Sequence, residues 1–559
     1  MKYIIFGAGK NAMPLISQLE GQGHEIITIT DNDPNKWGSF VGDYKVISPE
    51  EIPEVDGLTS KIIISVGSIR IYEEIATQLT GRGFVAGRDF NKDLVSIIGD
   101  IPGRVSGEIE LPSGFKACKS FDEASQLALM QEEKRIFRMV FGGNEEKYLQ
   151  VLERCKTAGL LGEWVVRTER IENEWKLPCA LLLEHQYIEP ITYCYEWTPK
   201  MFEQYVLYML SFMEKLNAAS LSLADGHHLN ATVHDGHFLF LDFGAIATGF
   251  MQSDVAIEFL DCHFIPLVLM KRGQINKGYA CLKNSGIRYS LEDVQGYLRT
   301  DEIHDFMALI SCALRINHKE DVSVFLQKCR AFLEHFKDYT LVTSWDGYQD
   351  DEWKLSEKKE SWTAKMSNVM KWIEEIQPNT ILDVAGNMGW YGSYYHDRIQ
   401  YSIIMDMDEN CLDFVWHQAS CGDYKNVVPV YMSFCTPSLS YYRDMPIDES
   451  LGVMPWIGGA RRRLRTDLVL ALAIVHHLAF RWQMTFDEIV KQLKAFSQKY
   501  VIVEFVDKQD VYLSDFRTER FDWYTKDNFE KALRRNFEIV DCAPSIPAES
   551  RTLYLCKKP

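Results

Sequence analysis

The chain has 559 residues, of which 46% are hydrophobic and 25% are charged, and its formal net charge is −19 at pH 7. These values predict a globular protein of three or four domains with sizeable cores. The acidic balance argues against a nucleic-acid partner held by bulk electrostatics. No apolar run reaches the length of a transmembrane helix, so no membrane-spanning segment is predicted.

The thirteen cysteines are scattered, with no C-x-x-C pair and no His/Cys cluster at zinc spacing. They indicate reduced thiols, and the first residues form a strand pattern rather than a signal peptide, so a cytoplasmic protein is expected. The one basic run, Arg461–Arg465, is typical of a solvated helix end, or it contacts a phosphate or acidic substrate.

The first 110 residues carry a strand–turn–helix pattern. Lys2–Phe6 is an apolar strand, Gly7–Ala12 follows as G-x-G-x-x-A, and Asn11–Leu19 has helical periodicity. A second strand, Glu25–Thr30, ends at Asp31, and a further strand (Ile62–Gly67) and helix (Ile71–Leu79) follow. This order predicts a Rossmann-like domain over residues 1–110.

Gly7, Gly9 and Asp31 are the candidate ligand-binding residues of this domain. The string Asp31–Gly38 resembles the front domains attached to sugar-modifying enzymes of bacterial glycan clusters, and that resemblance implies nucleotide-sugar binding. The alternative is a docking domain whose glycines only make the turn.

The middle of the chain has an amphipathic helix at Met201–Asn217, then Asp225 and Asn230, a hairpin signal at Asp235–Gly236, and a strand ending in Asp242-Phe243-Gly244. This layout resembles the catalytic and metal-binding loops of the protein-kinase-like fold, over residues 115–340. The resemblance implies that Asp225 accepts a substrate hydroxyl proton, while Asn230 and Asp242 hold Mg²⁺ against ATP phosphates.

Other parts of the kinase pattern are missing. No glycine-rich G-x-G-x-x-G loop and no V-A-I-K strand precede this region. The strand Arg135–Val140 would place Arg138 where kinases have lysine, with Glu146 or Glu153 as its partner. Both an active phosphotransferase and a degenerate module that binds substrate or a neighbouring domain remain open.

Two acids in the last third follow apolar strands. Thr380–Val384 contains Asp383 and runs into the turn Ala385–Gly389, and a second strand, Ser402–Asp406, ends on an acid. A glycine-containing turn before a helix brings backbone N–H groups close to a ligand, and an acid at the tip of the next parallel strand can bind a ribose. The pattern predicts a nucleoside-bearing cofactor, and the acid inside the turn favours a cationic one.

This turn resembles motif I of the class I S-adenosylmethionine (SAM) methyltransferases, roughly D-x-G-x-G-x-G, with Ala385 and Asn387 replacing the first two glycines. Further strands, a capping box at Thr485–Glu488 and a closing strand pair continue the plan of that fold over residues 345–559. The chain is therefore predicted to be α/β, with a doubly wound carboxyl-terminal sheet. Another doubly wound domain is the alternative. The later elements are Asp467–Leu478, Tyr500–Val506, Lys526–Arg535, Phe537–Val540 and Thr552–Leu555.

The methyltransferase resemblance assigns roles to individual residues. It implies that Asp383, Gly386 and Gly389 shape the methionine end of the pocket, that Asp406 binds the ribose and that Asp423 approaches the adenine. Asn387, in the same turn, is a further candidate cofactor-binding residue. His476, His477 and Glu504 are expected at the substrate-facing ends of their strands, with one histidine as general base and the other packed into the core.

Residues from about 130 to 559 resemble the nodulation-protein-type class I methyltransferases of bacteria. The resemblance implies SAM-dependent methyl transfer, with glycan or glycolipid modification as the context and an O-nucleophile on a sugar, glycan or glycan phosphate as the acceptor. A methyltransferase coupled to ATP- and Mg²⁺-dependent phosphorylation, a SAM-responsive scaffold and a protein methyltransferase stay as alternatives, and a homo-oligomer is left open. The matching strings are Arg135–Arg138, Ala158–Leu161, Ile191–Trp197, Asp225–Asn230, Phe264–Leu267, Leu472–Leu478 and Val503–Val506.

Overall fold

The computed structural model separates the chain into two compact units, Met1–Pro112 and Ser113–Arg443 with Ile447–Pro559. The predicted middle and carboxyl-terminal domains therefore lie within one unit. The structure describes residues 2–9, 12, 15–16, 19, 25–52, 60–66, 69–85, 88–90, 115–118, 126–131, 134–177, 179–283, 294–334, 348–438, 459–516 and 519–559.

In the first unit, a mostly parallel sheet forms from short strands with buried aliphatic side chains. The elements are β1 (Lys2–Phe6), β2 (Glu25–Thr30), β3 (Phe40–Val41), β4 (Tyr44–Ile47), β5 (Lys61–Ile64) and α1 (Ile69–Gly81). The strand order is β3-β4-β2-β1-β5, with only β3 antiparallel to its neighbour among these pairs. The helix predicted at Asn11–Leu19 lies mostly outside the described residues.

The second unit begins with an antiparallel sheet. Its strands are β6 (Phe115–Cys118), β7 (Gln126–Gln131), β8 (Arg135–Val140), β9 (Thr168–Arg170) and β10 (Leu181–His185), with helix α2 (Glu145–Thr157) after β8. The order is β6-β7-β8-β10-β9. The predicted strand Arg135–Val140 is confirmed as β8.

A helical region follows this sheet and carries two small strand pairs. The helices are α3 (Pro199–Ala218), α4 (Ser253–Phe259), α5 (Ile265–Lys271), α6 (Ile275–Lys283), α7 (Thr300–Ala313) and α8 (Lys319–Glu334), and the strands are β11 (Leu221–Leu223), β12 (Ala231–His234), β13 (His237–Phe240) and β14 (Ile246–Thr248). Strands β12 and β13 form the predicted hairpin, in which Asp235 and Gly236 have positive φ angles of 45° and 73°.

The last third forms a seven-stranded sheet. Its strands are β15 (Thr380–Val384), β16 (Tyr401–Asp406), β17 (Val427–Tyr431), β18 (Thr466–Ala471), β19 (Ser497–Val506), β20 (Glu538–Pro544) and β21 (Arg551–Lys557). The helices are α9 (Asp350–Leu355), α10 (Ala364–Ile376), α11 (Trp390–Ser393), α12 (Glu409–Ser420), α13 (Ala460–Arg463), α14 (Val475–Phe480), α15 (Phe486–Phe496) and α16 (Lys526–Arg534).

The strand order of this sheet is β17-β16-β15-β18-β19-β21-β20, and β21 runs antiparallel to both of its neighbours. This arrangement confirms the predicted doubly wound sheet with a closing strand pair. The chain moves from β15 to β16 and β17 on one side, then to β18 on the other. Ligands of open α/β sheets bind at such a switch point, outside the carboxyl ends of the strands.

The helical region with the β12–β13 hairpin and the seven-stranded sheet share a hydrophobic core, in which Phe238 and Trp416 pack with ring centroids 5.1 Å apart. A buried ion pair also joins them, because Arg463 Nη1 lies 3.0 Å from Glu196 Oε2. The same nitrogen donates to the carbonyl of Ile191 at 2.6 Å. The expectation of a solvated basic run is therefore wrong for Arg463, because its partner comes from a distant part of the chain.

Within the described residues, no helix combines the length and the apolar character needed to cross a membrane.

Candidate active site

The turn after β15 is unusually tight. Ala385, Asn387 and Gly389 have positive φ angles of 54°, 51° and 78°. A Cβ on Gly386 would lie 2.9 Å from Ile404 Cγ2 and 3.0 Å from the Asp383 carboxyl carbon, so only glycine fits without displacement. The turn can be this close to β16 because of its small residues, and it leaves open space beyond the strand ends.

Asp383 lies below this turn with only 2% of its surface exposed. Its Oδ2 accepts a hydrogen bond from the Gly392 N–H at 3.0 Å. Burial raises the pKa of Asp383 to about 7, although the Gly392 hydrogen bond and the Lys365 charge oppose the shift. A cationic ligand nearby would lower the pKa of Asp383 and favour its ionised form.

Asp406 ends the neighbouring strand and is held by backbone N–H groups. Its Oδ2 accepts from Asn387 at 2.8 Å, and its Oδ1 accepts from Met407 at 2.6 Å and Asp408 at 2.9 Å. Burial raises the pKa of Asp406 and these hydrogen bonds oppose the rise. A carboxylate has about four acceptor sites, so one remains for a hydroxyl group of a ligand.

A cavity of about 320 Å³ lies between these acids at the carboxyl edge of the sheet. Ligand pockets of enzymes fall in this size range. Its walls come from the turn after β15, the ends of β16, β17 and β18, and the segments around α9, α10 and α14. Residues that line it are Gln349, Lys365, Asp383, Asn387, Tyr391, Asp406, Met432, Ala473, His477, Arg481 and Trp482.

The two histidines after β18 have different surroundings. His477 lines the cavity, and burial together with Arg481 lowers its pKa. His476 is packed inside, where burial and His477 lower its pKa to about 3, and its Nδ1 has no hydrogen-bond partner in the part of the chain that the structure describes. Both rings are therefore neutral at pH 7, and only His477 faces the ligand space.

Glu504 lies behind the cavity wall, so its expected place among substrate-facing residues is wrong. It is completely buried. Its Oε2 lies 3.0 Å from Lys365 Nζ and accepts from the Ala473 N–H at 2.8 Å, while Ser545 donates to Oε1. Burial raises the pKa of Glu504, but Lys365 and Ser545 outweigh it and the pKa is lowered overall. Glu504 therefore fixes neighbouring groups instead of contacting substrate.

The predicted contact of Asp423 with the adenine is also wrong. Asp423 is exposed and lies between the end of α12 and the start of β17. That loop is at the amino end of the strand, whereas the cavity lies at the carboxyl end. The wall at this position comes instead from Met432, Ser433, Phe434 and Cys435, after β17.

The residues predicted from the kinase resemblance form a second cluster. Asn230 Nδ2 donates to Asp225 Oδ1 at 3.0 Å, and burial is the main cause that raises the pKa of Asp225 to about 6. Asp242 Oδ1 accepts from the Gly244 N–H at 2.9 Å and from Arg138 Nη2 at 3.1 Å.

Arg138 itself is buried and also donates to His185 Nε2 at 3.1 Å. Glu146 and Glu153, which were considered as its partners, are exposed on α2, and Glu146 accepts from Gln150. The arginine side chain is thus directed toward Asp242. For the described residues, no group of three or more His, Cys, Asp or Glu side chains is arranged to hold a metal ion.

In the front unit, the candidate residues make contacts within the turn. Asp31 Oδ2 accepts from the Ala8 N–H at 2.7 Å and lies 3.0 Å from Lys36 Nζ. A Cβ on Gly7, whose φ is 119°, would lie 2.4 Å from the Ser65 carbonyl oxygen, while Gly9 has open space around it. These contacts explain Gly7 and Asp31 without a ligand, and nucleotide-sugar binding stays a prediction.

Several cavity residues were not anticipated from the sequence. Lys365 and Gln349 come from elements before the motif, and Gln349 Oε1 accepts from the Trp390 N–H at 3.1 Å. Tyr391 follows the motif directly, and its buried hydroxyl has no hydrogen-bond partner among the described residues. The only sequence signal for Tyr391 is its position directly after the turn. Arg481 and Trp482, which follow α14, belong to no recognisable pattern in the sequence.

The chain is similar to known proteins over most of its length. It is 23% identical to the nodulation protein NoeA of Rhizobium meliloti strain 1021 over 498 residues, which is 81% of this chain and 96% of that protein. The family model described as C2185-like, N-terminal matches residues 1–85.

Solved structures match the chain in part. The N-methyltransferase NodS from Bradyrhizobium japonicum WM9 is 8% identical, with a TM-score of 0.26, over 38% of this chain and 99% of its own. The TehB-like SAM-dependent methyltransferase from Corynebacterium glutamicum is 13% identical, with a TM-score of 0.25, over 38% of this chain and 97% of its own. Magnesium protoporphyrin IX methyltransferase from Synechocystis PCC 6803 is 10% identical, with a TM-score of 0.25, over 40% and 88%.

Proposed function

We propose that the protein is an S-adenosylmethionine-dependent methyltransferase that acts on a hydroxyl group of a small, saccharide-type acceptor. The observation that carries this proposal is the position of Asp383 and Asp406 on one cavity at the switch point of the sheet. The buried carboxyl group of Asp383 and the half-buried one of Asp406, beside a small-residue turn, fit a cationic nucleoside better than a pyrophosphate, which they would repel.

Residues of the chain fit three parts of S-adenosylmethionine. Asp406 keeps one acceptor site for a ribose hydroxyl, and Asn387 orients it through its backbone N–H. Asp383 faces the cationic end, where ionisation is favoured once a positive charge is nearby. Gly386 and Gly389 keep the turn close to β16, so that no side chain fills the space in between.

When bound, S-adenosylmethionine would supply an activated methyl group: the acceptor oxygen would bond to the methyl carbon, and the electron pair of the carbon–sulfur bond would leave with sulfur. His477 takes the proton of the acceptor hydroxyl at a ring nitrogen. Its lowered pKa keeps the ring neutral at pH 7 and ready to accept that proton. Glu504 accepts the Ala473 N–H and pairs with Lys365, so it holds the cavity wall in place and helps to align the acceptor with the methyl group.

The saccharide class of the acceptor is supported by the resemblance of residues 130–559 to nodulation-protein-type methyltransferases, which implies glycan or glycolipid modification. In a cell extract given labelled SAM, we expect the label on a saccharide fraction. Label on a polypeptide would identify a protein methyltransferase. SAM binding without turnover would support a ligand-responsive scaffold and contradict the enzymatic proposal.

The cofactor assignment is tested by calorimetric titration of S-adenosylhomocysteine into the full chain. We expect Asp406→Asn to weaken binding by about tenfold or more, the loss of one charge-assisted hydrogen bond. Asp423→Asn is the matched control, since it removes an exposed acid at the opposite edge of the sheet. Equal affinity of both variants, with unchanged melting temperatures, would remove Asp406 from the site.

A second candidate function rests on one specific observation, the cluster of Asp225, Asn230 and Asp242. We propose that this region is a phosphotransferase that uses ATP and Mg²⁺, or a degenerate descendant that retains only the fold. The Arg138 contact to Asp242 favours the degenerate form, because the guanidinium occupies an oxygen that a metal ion would need.

An ATP-dependent product from the wild-type chain that is lost in Asp242→Ala would establish phosphotransfer. Product retained in Asp242→Ala, or no product from either chain, would support the degenerate module.

A further inference from the structure

The side of the cavity next to β18 carries two exposed side chains that the cofactor contacts leave unused. Arg481 and Trp482 follow α14, and the Arg481 N–H donates to the His477 carbonyl at 3.0 Å. Both side chains line the same cavity as His477. They therefore lie within one helical turn of the proposed base.

The charges around the cavity are unequal on its two sides. Asp383 and Asp406 lie at the ends of β15 and β16, on the side that suits a cationic nucleoside. Lys365 is compensated by Glu504 at 3.0 Å. Across the residues described, Arg481 has no carboxylate within 4.0 Å, so it is a cation of the cavity without an ion-pair partner. A guanidinium of this kind is suited to bidentate binding of a carboxylate or phosphate.

Trp482 has 51% of its surface exposed. A single exposed aromatic residue is common on protein surfaces. Trp482 differs because it lines the cavity beside an uncompensated arginine and close to the base. A flat indole at such a place gives a rigid, amphipathic surface for the apolar face of a ring.

We propose that Arg481 and Trp482 form the acceptor-recognition rim of the active site, and that the acceptor is a hydroxyl-bearing ring that carries a carboxylate or phosphate. Arg481 binds the anion, Trp482 packs on the ring, and the reacting hydroxyl is then held near His477. This inference rests on the proposed methyl transfer and adds the charge and shape of its acceptor.

The anion that Arg481 binds has one competing source, the carboxylate of the methyl donor itself. The two possibilities predict opposite results for Arg481→Met. Loss of acceptor binding with unchanged S-adenosylhomocysteine affinity supports the rim. A tenfold or greater loss of S-adenosylhomocysteine affinity with unchanged acceptor binding assigns the arginine to the donor and overturns the inference.

The test titrates three probes, D-glucuronic acid, D-glucose 6-phosphate and D-glucose, into the full chain saturated with S-adenosylhomocysteine, with saturation-transfer NMR as the readout. We expect at least one anionic sugar to bind about tenfold more tightly than glucose, and the better of the two identifies the anion. Arg481→Met should remove that preference, and Trp482→Ala should weaken all three sugars by about fivefold. Arg315→Met, an exposed arginine without an ion pair among the described residues, is the matched control.

No binding of any probe, or equal binding of glucose and the anionic sugars, overturns the inference. A wild-type chain that does not bind S-adenosylhomocysteine contradicts the proposed function instead. The same titration without that ligand then still decides whether the rim binds anionic sugars.

Discussion

Lys365 Nζ and Glu504 Oε2 lie 3.0 Å apart in the wall behind the active-site cavity, and both residues are buried. Lys365 comes from α10, which precedes the sheet, and Glu504 lies near the end of β19. Their pairing neutralises a lysine that lines the cavity. It also anchors the Ala473 backbone, which has a positive φ of 53° and continues into the histidine segment.

Loss of this pair should destabilise the protein. We expect Glu504→Gln to lower the free energy of unfolding by about 3–5 kcal/mol, because it leaves a buried ammonium without its counter-charge. Chemical denaturation measures the change. Glu375→Gln removes an exposed partner of Lys371 and should cost no more than about 1 kcal/mol. Equal small effects in both variants would contradict the proposed anchoring role.

Asp383 should make stability depend on pH. Its folded pKa of about 7 lies above the ordinary value of 3.8, so the folded chain favours the protonated acid. Its contribution is therefore most favourable below about pH 4 and is lost progressively as the pH rises to about 7, by roughly 4 kcal/mol in total. Denaturation of wild type and Asp383→Asn at several pH values checks this, since the variant should lack that part of the dependence.

Binding of the nucleoside should release a proton from the same acid. S-Adenosylhomocysteine carries an ammonium group, which favours the ionised form of Asp383 and lowers its pKa. We expect proton release on binding near pH 6–7, measured by calorimetry in buffers of different ionisation enthalpy. The release should be smaller in Asp383→Asn, and an unchanged release in that variant would exclude Asp383 as its source.

The two histidines should differ in their kinetic effect. His477→Ala is expected to lower kcat by about 10²- to 10⁴-fold and leave S-adenosylhomocysteine affinity unchanged, because a general base acts only on the acceptor. His476→Gln should keep kcat within a few fold. A comparable loss of kcat in both variants would contradict a role for His477 alone, since it would mean that both histidines act together or that both substitutions disturb the fold.

The charge of Arg481 should shift the pH–rate profile. Burial and Arg481 lower the pKa of His477 below 6.5, and activity should rise with pH through that lowered value as the ring loses its proton. In Arg481→Met the inflection should move to higher pH, because one cause of the lowering is gone. An unmoved inflection would mean that a different group titrates.

The buried contact between Arg463 and Glu196 should couple the two parts of the second unit. We expect Arg463→Met to cost about 3–5 kcal/mol, since Glu196 would stay buried without its partner. Calorimetry should show one unfolding transition for wild type and a broader or split transition for the variant. Arg462→Met, on the same short helix, serves as the control.

Much of the active-site geometry was predictable because it is local. The strand, turn and strand from Thr380 to Asp406 follow from apolar runs, small residues and two acids, and the parallel register of β15 and β16 brings both acids to one edge. The hairpin at Asp235–Gly236 and the capping box at Thr485–Glu488 also depend on a few neighbouring residues.

Other residues were misplaced because their surroundings come from distant segments. Asp423 was predicted to lie at the cavity. Because Asp423 precedes β17, it lies at the amino end of that strand, whereas the cavity lies at the carboxyl ends of the strands. Glu504 was expected to face the substrate, but Lys365 and Ser545 enclose it. Arg463 belongs to a basic run that predicted solvent exposure, yet its side chain is buried in an ion pair with Glu196.

The sequence by itself determined the strands, the tight turn and the acids at the strand tips, since these depend on side-chain periodicity and backbone sterics over short distances. Only the tertiary structure decided which histidine lines the cavity, which charges are neutralised and which cation of the cavity has no ion-pair partner among the described residues. Those properties depend on burial and on partners from remote elements, because an ionisable group takes its role from the charges and solvent that surround it in the folded chain.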